Sequence, residues 1–527
     1  MIVKSESICR AGALGVHPRR HGFGTWLHRR ARPLLTGLSS VMFAGCAVGP
    51  DFQRPSGPDV AAYTSPPLPA QTAEAEVHGG EAQRFLLDGE LPARWWELFR
   101  SPTLTALIEQ ALRANPDLPA AQAALRQAQE NARAQTGLYY PNVQASFAAS
   151  RQKNAVEVLS PTLTSGESLF NLYTPQVLVS YALDAWGANR RQVESLEAQA
   201  EAQRFQFEAT YLTLTSNVAA AAVQEASLRA QVAATREVIR IETELLALLR
   251  RQLELGAIAG SDVAAQEAVL AQSETTLPPL LKQLAQQRDL LARLTGRFPS
   301  EEVPQHFDLE DLKLPPELPL GVPSRLIEQR PDVRAAEANL HAASAQVGVA
   351  TANMLPQITL TADLGSTSTL LRQLFASGTG FWGVTATALQ PLFDGGTLLH
   401  RKRAAEAALE QATFQYRGAV LTAFQNVADA LHALELDAHA VKAALRAERA
   451  ASDSLAIAQR MTGLGATSYL PLLVAQQAYQ QGVITLAQAR GNRYADTVAL
   501  FAALGGGWWN RDPNAAETDA ALPESQP

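Results

Sequence analysis

The residue types that most often carry chemistry are sparse in this chain and poorly spaced for catalysis. Gly378, Gly380 and Gly383 match the glycine spacing of a dinucleotide-binding loop, but such a loop needs a strand before it and a helix after it. Here a polar segment precedes the glycines and an alternating, strand-like run follows them. His432 and His439 lie on one face of a helical stretch, where a solvated surface is the commoner situation than a metal site. We expect no assembly of nucleophile, base and orienting group, and therefore no enzyme.

Asp184 and Asp394 each stand just before a long helical stretch and close to glycines. An aspartate in that position can accept hydrogen bonds from the free N–H groups of the first helical turn. We therefore expect these two carboxylates to cap helices rather than to take part in catalysis.

Cys46 is the residue whose context points to specific chemistry. Residues 1–32 are basic and residues 33–45, PLLTGLSSVMFAG, are apolar or small, which is typical of a secretory signal. The sequence Phe43-Ala44-Gly45-Cys46 resembles a bacterial lipobox, the signal after which the cysteine becomes the first residue and is lipidated. The other cysteine, Cys9, lies in the leader, so cleavage leaves Cys46 without a disulfide partner.

These features predict a signal peptide at residues 1–45 and a covalent lipid, such as palmitate, on Cys46, with no other cofactor and no metal. Ala47 follows the cysteine, whereas an aspartate there would resemble an inner-membrane retention signal. The outer membrane is therefore the predicted location. Several acyl chains hold a protein on a bilayer far better than one does. A plain secretory leader with an incidental cysteine is the alternative interpretation.

Charge and hydropathy exclude two classes of protein. The chain has 527 residues and a net charge of −7. The leader is basic, so the remaining chain is more acidic than the total, which argues against nucleic acid as a partner. No apolar stretch is long enough for a polytopic helical membrane protein. Membrane-crossing strands are not excluded, because such strands are short and only half apolar.

An internal repeat is the most informative feature of the chain. Asn115-Pro116-Asp117 matches Arg330-Pro331-Asp332, and Leu255-Gly256-Ala257 matches Leu464-Gly465-Ala466, in the same order. Proline and glycine residues that recur in the same order, at a nearly constant offset in residue number, indicate two copies of one structural unit. The predicted organisation is a lipidated, extended N-terminal segment at 46–92, repeat 1 at 93–296, a Pro-rich extended linker at 297–323, repeat 2 at 324–507 and a disordered tail at 508–527.

Each repeat is predicted to contain short helices, two strands, a very long helix and a returning helix. Strong helix formers without proline predict the long helices, at 187–255 and 396–464, each about 100 Å in length. The turns after them reverse the chain into returning helices of about 35 residues. The predicted helices are 101–114, 119–137, 187–255 and 262–296 in the first copy, and 324–353, 396–464 and 470–504 in the second.

Four runs alternate between apolar and polar residues, which predicts strands at about 142–150, 174–183, 357–365 and 381–390. Each run has the length that crosses a bilayer when the strand is tilted. The apolar positions are Val143, Ala145, Phe147 and Ala149 in the first run, Val177, Val179, Tyr181 and Leu183 in the second, Ile358, Leu360, Ala362 and Leu364 in the third, and Trp382, Val384, Ala386 and Ala388 in the fourth.

Four strands cannot close a barrel, and open edges in hydrocarbon leave backbone groups unpaired. If the strands span a membrane, the chain must therefore oligomerise, with eight strands from two copies or twelve from three. Two half-buried hairpins that pack on the helices of a soluble domain are the alternative.

Several motifs resemble one family of bacterial proteins. Residues 46–55, CAVGPDFQRP, are similar to the mature start of outer-membrane factors of the TolC/OprM type, in the NodT-like lipoprotein branch. Trp95-Trp96-Glu97-Leu98-Phe99 and Asn115-Pro116-Asp117-Leu118 resemble the first helices of that family. The second half shows further matches, RPDVRAAE at 330–337, PLFDGG at 391–396 and LGGGW at 504–508.

The resemblance implies a mixed α and β fold and a homotrimer in the outer membrane of a Gram-negative bacterium. Four strands from each chain would form one 12-stranded β-barrel, continued by a long periplasmic α-helical barrel. The implied function is the exit duct of a tripartite efflux pump that exports small molecules such as drugs or toxic compounds. The implied partners are a periplasmic adaptor (membrane fusion protein) and an inner-membrane transporter of the RND type.

The resemblance also implies two sets of functional residues on the helices. The helix tips would contact the adaptor, and residues on the second long helix near its tip would narrow the closed end of the duct. The implied tip residues are Leu255, Gly256, Ala257, Leu464, Gly465 and Ala466, and the implied constriction residues are Asp453, Leu455 and Arg460. Alternatives are a periplasmic helical lipoprotein scaffold without a pore, or the duct of a type I protein secretion or metal efflux system.

Overall fold

The computed structural model describes residues 47–60, 62–65, 67–87, 89–153, 169–464 and 466–511. The predicted signal peptide and Cys46 therefore lie outside the described residues, as do Gly465 and the tail from residue 512. The two halves contain the same elements in the same order, namely two helices, two strands, a very long helix and a returning helix.

Repeat 1 contains helices α1 (Pro102–Ala114) and α2 (Asp117–Thr136), strands β2 (Asn142–Lys153) and β3 (Leu169–Leu183), the long helix α3 (Ala188–Glu254) and the returning helix α4 (Gly260–Leu294). A short strand, β1 (Arg84–Leu86), precedes them. The 67 residues of α3 extend about 100 Å. The helix α4 continues through Pro278 and Pro279.

Repeat 2 follows a short strand, β4 (Glu317–Pro319), and contains helices α5 (Pro323–Gln329) and α6 (Pro331–Ala352), strands β5 (Gln357–Ser366) and β6 (Gly380–Leu389), the long helix α7 (Thr397–Gly463) and the returning helix α8 (Leu470–Ala503). The helical stretch predicted at 324–353 consists of these two helices, α5 and α6, which are separated at Arg330. Arg330 has extended backbone angles and Pro331 starts the next helix. The proline ring makes helical φ and ψ angles unfavourable for the residue before it.

The four long strands form one antiparallel sheet in the order β2-β3-β5-β6. The predicted faces match this sheet, but the second strand begins at Leu169 rather than at 174. Its extra residues pair with the end of β2, Lys153 lying opposite Leu169. The hairpin therefore extends farther beyond the apolar stretch than the alternation alone indicated.

The largest core cluster joins the short helices to the middle of both long helices and to the C-terminal parts of the returning helices. Trp95, Trp96 and Phe99 are fully buried in a 3-10 turn, and the Trp95 and Phe501 rings lie 5.7 Å apart. Aromatic pairs at this spacing add stability beyond the area that they bury. The motif at 95–99 thus fixes the N-terminal part of repeat 1 against α8.

Residues 297–323 were predicted to be an extended linker, and this prediction was wrong in one respect. Phe307, Leu309 and Leu318 are fully buried in the main core, and β4 pairs in parallel with β1. Prolines stiffen the segment, but its leucines and phenylalanine have enough apolar area to hold it against the helices.

The boundary of the predicted tail also needs correction. Trp508–Asn510 forms a 3-10 turn. The Trp508 Nε1 donates to the Gln329 carbonyl oxygen at 2.6 Å, and Arg511 pairs with Glu208. Residues 508–511 are therefore ordered, and they contact the end of α5 and the helix α3. Among the described residues, no helix has the length and apolar character needed to cross a membrane.

Candidate functional site: the apolar sheet, its junction and the helix tips

The register of the sheet brings the predicted apolar positions of all four strands onto one face. One row across the sheet consists of Val143, Val179, Ala362 and Val384, and the next consists of Ala145, Val177, Leu364 and Trp382. Many of these side chains are exposed in the single chain. A contiguous apolar surface of this kind marks contact with a membrane or a partner.

The opposite face of the sheet is mostly polar, although Leu178 and Phe381 also lie on it. A row of Asn142, Ser180, Thr361 and Thr385 crosses it from edge to edge. The sheet therefore has one face suited to hydrocarbon and one suited to water. Within the described strands, β2 and β6 each pair on one side only, so both edges present unpaired backbone groups.

The two aspartates at the sheet–helix junctions cap the long helices, as predicted. The Asp184 carboxylate accepts hydrogen bonds from the backbone N–H groups of Asn189 and Arg190, both at 2.9 Å. The Asp394 carboxylate accepts them from Gly396 and Leu398, both at 2.8 Å. These N–H groups lower the pKa of Asp394, because they stabilise its charged form.

The N-terminal segment is fixed at the same junction. The Val48 N–H donates to the Trp186 carbonyl oxygen at 3.1 Å, and Arg191 donates to the Asp51 carboxylate at 2.6 Å. Ala47 lies so close to Gly187 that a Cβ on this glycine would come within 2.6 Å of the alanine Cβ. Gly187 also has a φ of +77°, so it is required here for both reasons. The residue after Cys46 is thus held at the start of α3, just beyond the end of the sheet.

The helix tips are strongly exposed. Leu255 is 78 % and Leu464 is 76 % exposed, and Ala257 and Ala466 are also exposed. Gly256 has a φ of +73°, with nothing within 4 Å of a Cβ built on it. Its conformation ends the long helix in the usual way, while its surroundings leave the tip free for another molecule.

The structure separates the three predicted constriction residues. Asp453 and Arg460 are exposed on α7, whereas Leu455 is 7 % exposed and packs in a cluster with Leu246 and Leu472. Leu455 therefore stabilises the packing of α7 on α3 and α8, and it does not face the solvent within the protomer. Its inclusion among the lining residues needs correction, because sequence alone did not fix the register of α7.

The glycines at 378–383 lack the helix that a dinucleotide-binding loop requires. Gly378 lies in a turn and Gly380 begins β6, so a strand, not a helix, follows the glycines. His432 and His439 are exposed on α7. Among the described residues, no three His, Cys, Asp or Glu side chains are grouped so that they could hold a metal ion.

The sequence analysis did not identify the charged and polar side chains on the buried face of α3, notably Glu225 and Glu242. Glu225 pairs with Arg288 of α4 at 2.8 Å. Burial raises the pKa of Glu225, and the Arg288 and His306 charges partly offset this effect. The signal was present as acidic residues at core spacing, but in a helix so rich in Glu and Gln it could not be distinguished from a solvated face.

Comparison with known proteins defines the class to which this fold belongs. The family model for outer membrane efflux proteins matches residues 107–297 and 322–506, which correspond to the two repeats. The pyoverdine export outer membrane protein OpmQ of Pseudomonas putida is 32 % identical over 85 % of this chain and 96 % of its own. The probable outer membrane lipoprotein SilC of Salmonella typhimurium is 29 % identical over 90 % of this chain and 98 % of its own.

The solved structure of the outer-membrane channel OprN superimposes with a TM-score of 0.78, at 28 % identity, and covers 88 % of this chain and all of its own. The fold is thus that of the outer-membrane channels, with an internal tandem repeat of mixed helices and strands. The chain belongs to the outer membrane efflux protein family. It is an efflux channel protein of the outer membrane, and its relatives are channels and export proteins rather than enzymes.

Proposed function

We propose that the chain is the lipid-anchored, homotrimeric exit duct of a tripartite pump. The observation that carries this proposal is the sheet with a continuous apolar face and two open edges. In hydrocarbon each unpaired backbone group costs several kcal/mol, so β6 of one copy must pair with β2 of the next. Three copies supply twelve strands, and a closed ring of them leaves no edge.

The helices support the same arrangement. α6 packs between α3 and α7, whereas α2, its counterpart in repeat 1, packs on α3. Consequently α6 buries half of its residues, but α2 buries only Leu118 and Ala132. If the repeat continues around a ring, α2 of one copy packs on the free side of α7 of its neighbour. This is a head-to-tail contact, the kind that closes rings.

The anchor of the trimer is Cys46 in this proposal. Ala47 packs on Gly187 at the start of α3, close to the end of β3 at Leu183. Acyl chains on Cys46 therefore enter the bilayer at the level where the apolar face of the sheet ends. Lipid and sheet then fix the same depth of the protein in the outer membrane, with the long helices in the periplasm.

The exposed tips are the proposed contact with a periplasmic adaptor, whose partner is an inner-membrane transporter of the RND type. The contact residues are Leu255, Gly256, Ala257, Leu464, Gly465 and Ala466. Exposed leucines beside small residues allow close approach of a second helical tip. Small molecules such as drugs or toxic compounds are the proposed cargo, and the duct itself needs no cofactor because the pump supplies the energy.

Asp453 and Arg460 are the residues that we propose to narrow the closed end. Both side chains are exposed on the last turns of α7, where three copies would bring them toward the axis. Asp453→Asn and Arg460→Gln should each change the conductance of the channel in a planar bilayer. Gln459→Asn, an uncharged substitution on the same exposed stretch, should leave it unchanged and is the matched control.

The test of the proposal is the native mass of the detergent-extracted protein, with the acyl chains resolved. Three lipidated protomers support it. A lipidated monomer would contradict the duct and would favour a scaffold without a pore. In a Cys46→Ser variant the acyl mass should disappear while the trimer persists, so an unlipidated wild-type trimer would contradict only the anchor.

A further inference from the structure

An unpaired carboxyl group is buried between the hairpin α3–α4 and the hairpin α7–α8, just above the helix tips. Glu242 of α3 is 1 % exposed, and neither of its carboxyl oxygens has a hydrogen-bond partner among the described residues. Gln476 of α8 is 3 % exposed, and both polar atoms of its amide are likewise without partners there. Buried polar groups are nearly always hydrogen-bonded, so these four atoms need an explanation.

Glu242 and Gln476 line the same small cavity. Its volume is about 10 Å³, and its other walls are Val238, Ile241, Leu455 and Tyr479. A space of this size holds at most about one water molecule. Both side chains therefore border a gap that has room for one bridging water molecule.

The other polar neighbours are already engaged. The Gln266 Nε2 donates to the Glu242 carbonyl oxygen at 3.3 Å, and the Tyr469 hydroxyl donates to the Gln266 Oε1. The Ser273 hydroxyl donates to Gln480 Oε1 at 3.3 Å and also acts on the Glu242 carboxyl group, whose pKa it lowers. Among the described residues that line the cavity, Gln476 is the side chain with both an unpaired donor and an unpaired acceptor.

The charges around Glu242 favour its neutral form. Burial raises the pKa of Glu242, the nearby Ser273 hydroxyl lowers it in part, and the charge of Glu274 on α4 raises it again. Burial raises the pKa of Tyr469, and the charges of Glu242 and of Asp262, also on α4, raise it further. No Lys, Arg or His pairs with Glu242 in the part of the chain that the structure describes.

The helices α7 and α8, which also border the cavity beside Glu242, add no positive charge there. From α7, Leu455 lines the cavity, and from α8 Tyr479 does so. Tyr479 in turn lies within the electrostatic influence of Glu448 on α7 and Glu237 on α3, both of which raise its pKa. The described groups that face the site from all four helices are therefore neutral or acidic.

The donors and acceptors match only when the carboxyl group carries a proton. A carboxylic acid offers one O–H donor and one C=O acceptor, and an amide offers an N–H donor and a C=O acceptor. Paired with each other, they satisfy all four atoms. An ionised carboxylate has acceptors only, so the amide oxygen would stay unpaired beside a buried charge.

We propose that Glu242 and Gln476 form a proton-binding site that holds the two hairpins together near their tips. With the proton bound, the acid and the amide pair across α3 and α8. Without it, hydration of the carboxylate requires water between the helices, and the hairpins separate there. This inference goes beyond the proposed duct, because it concerns how the packing of the helices responds to pH within each copy.

The sign of the effect follows from linkage. Because the pKa of Glu242 is raised in the folded protein, the folded state binds the proton more tightly than the unfolded state. The stabilisation is therefore complete below the ordinary pKa of a glutamic acid, about 4.3, and is lost as the pH rises through the raised value.

Distances between spin labels at the two tips test the proposal directly. Leu255→Cys and Leu464→Cys place labels on exposed positions of the two hairpins, and dilution with unlabelled chain limits each assembly to one labelled copy. From about pH 4 to about pH 8, which spans the range of raised carboxyl pKa values, the distance should lengthen or its distribution broaden. An infrared band of a protonated carboxylic acid should weaken over the same range.

Glu242→Gln keeps the shape of the side chain and can still pair with Gln476, but it cannot ionise. This variant should keep the low-pH tip distance at every pH. Its infrared band should lack the Glu242 contribution, which the difference from the wild type isolates from other raised carboxyl groups such as Asp496. Glu254→Gln removes a charge from an exposed position of the same helix and should behave as the wild type. An unchanged pH response in Glu242→Gln, or no response in the wild type, would overturn the proposal. The duct proposal is judged separately, by the native mass of the assembly.

Discussion

The two long helices occupy the same place in the two repeats, yet they bury different kinds of side chain. α3 encloses charged and polar residues, among them Glu225, Thr235 and Glu242. The described interior of α7 contains only alanine, valine, leucine and tyrosine. α3 packs against α1, α2, α4, α6 and α8, whereas α7 packs mainly against α6 and α8.

This difference indicates which helix surfaces are fully packed within one copy and which are left for contact with another copy. α3 is enclosed by its own chain, so its buried polar groups depend on partners within the protomer, as Glu225 depends on Arg288. α7 keeps large apolar side chains exposed, including Phe414 and Leu421, which lie two turns apart on one face. Such a face is left for another copy. Substitutions in α3 should therefore weaken the fold of each protomer, and substitutions on this face of α7 should weaken the assembly.

The largest effect is expected on the exposed face of α7. Leu421→Asp places a charge where a neighbouring copy must pack, and burying an unpaired charge is costly. The trimer should be lost while the helical circular dichroism of the protomer is kept. Leu421→Met, which preserves the apolar surface, should remain trimeric in native mass spectrometry. A stable trimer of Leu421→Asp would show that this face is not an interface.

For the buried groups of α3, the largest loss is expected from Arg288→Ala, a change on the neighbouring helix α4. This change leaves the fully buried Glu225 without its 2.8 Å partner, and breaking a buried pair costs about 3–5 kcal/mol. Thermal unfolding of the protein should shift to lower temperature. Arg240→Ala removes exposed pairs with Glu237 and Glu244 on the same helix and should produce no measurable change. Equal effects of the two substitutions would contradict the distinction between the interior and the surface of α3.

A smaller effect is expected at the junction. Asp184→Ala removes the carboxylate that caps the first turn of α3, which should cost about 1 kcal/mol. Hydrogen exchange of the Asn189 and Arg190 amides should accelerate, while amides in the middle of α3 stay protected. Asp184→Asn retains an accepting oxygen and should recover most of the loss. Exchange that does not change in Asp184→Ala would argue against a capping role.

The smallest effect on stability is expected at the tips. Leu255→Asp changes a side chain that is 78 % exposed, so unfolding should shift by less than about 0.5 kcal/mol. Binding of the purified trimer to its periplasmic adaptor should nevertheless weaken. The matched control is Leu281→Asp on the returning helix α4, where the side chain is also exposed but lies far along the helix from the tip. Equal adaptor binding by both variants and the wild type would remove the tips from the proposed contact.

Much of the fold could be predicted because its signals are local. Period-two alternation assigned Val143, Val179, Ala362 and Val384 to one face, and the register places them in one row. The long helices end within a residue of their predicted ends, and α3 stops just before Gly256, whose φ is positive. The capping aspartates likewise followed from position alone.

The remaining features depend on tertiary packing, which a local pattern does not contain. Phe307 and Leu318 bury a segment whose prolines indicated an extended linker. The position of Leu455 inside a four-helix cluster depends on the rotation of α7. Glutamate is a residue type that usually lies on the surface. The burial of Glu242 follows only from the packing of α4 and α8 over it.

The central claim is that the open edges of the sheet pair between copies, β6 of one with β2 of the next. Cysteine pairs that combine Ala145→Cys or Ala149→Cys in β2 with Val384→Cys or Ala386→Cys in β6 test it in membranes. Oxidation of at least one combination should give covalent dimers and trimers, with the trimer as the largest species. Cysteines in the central strands β3 and β5 should give no intermolecular product. If no edge combination forms cross-linked trimers, or if the central strands cross-link equally well, the account of a shared twelve-stranded duct is contradicted.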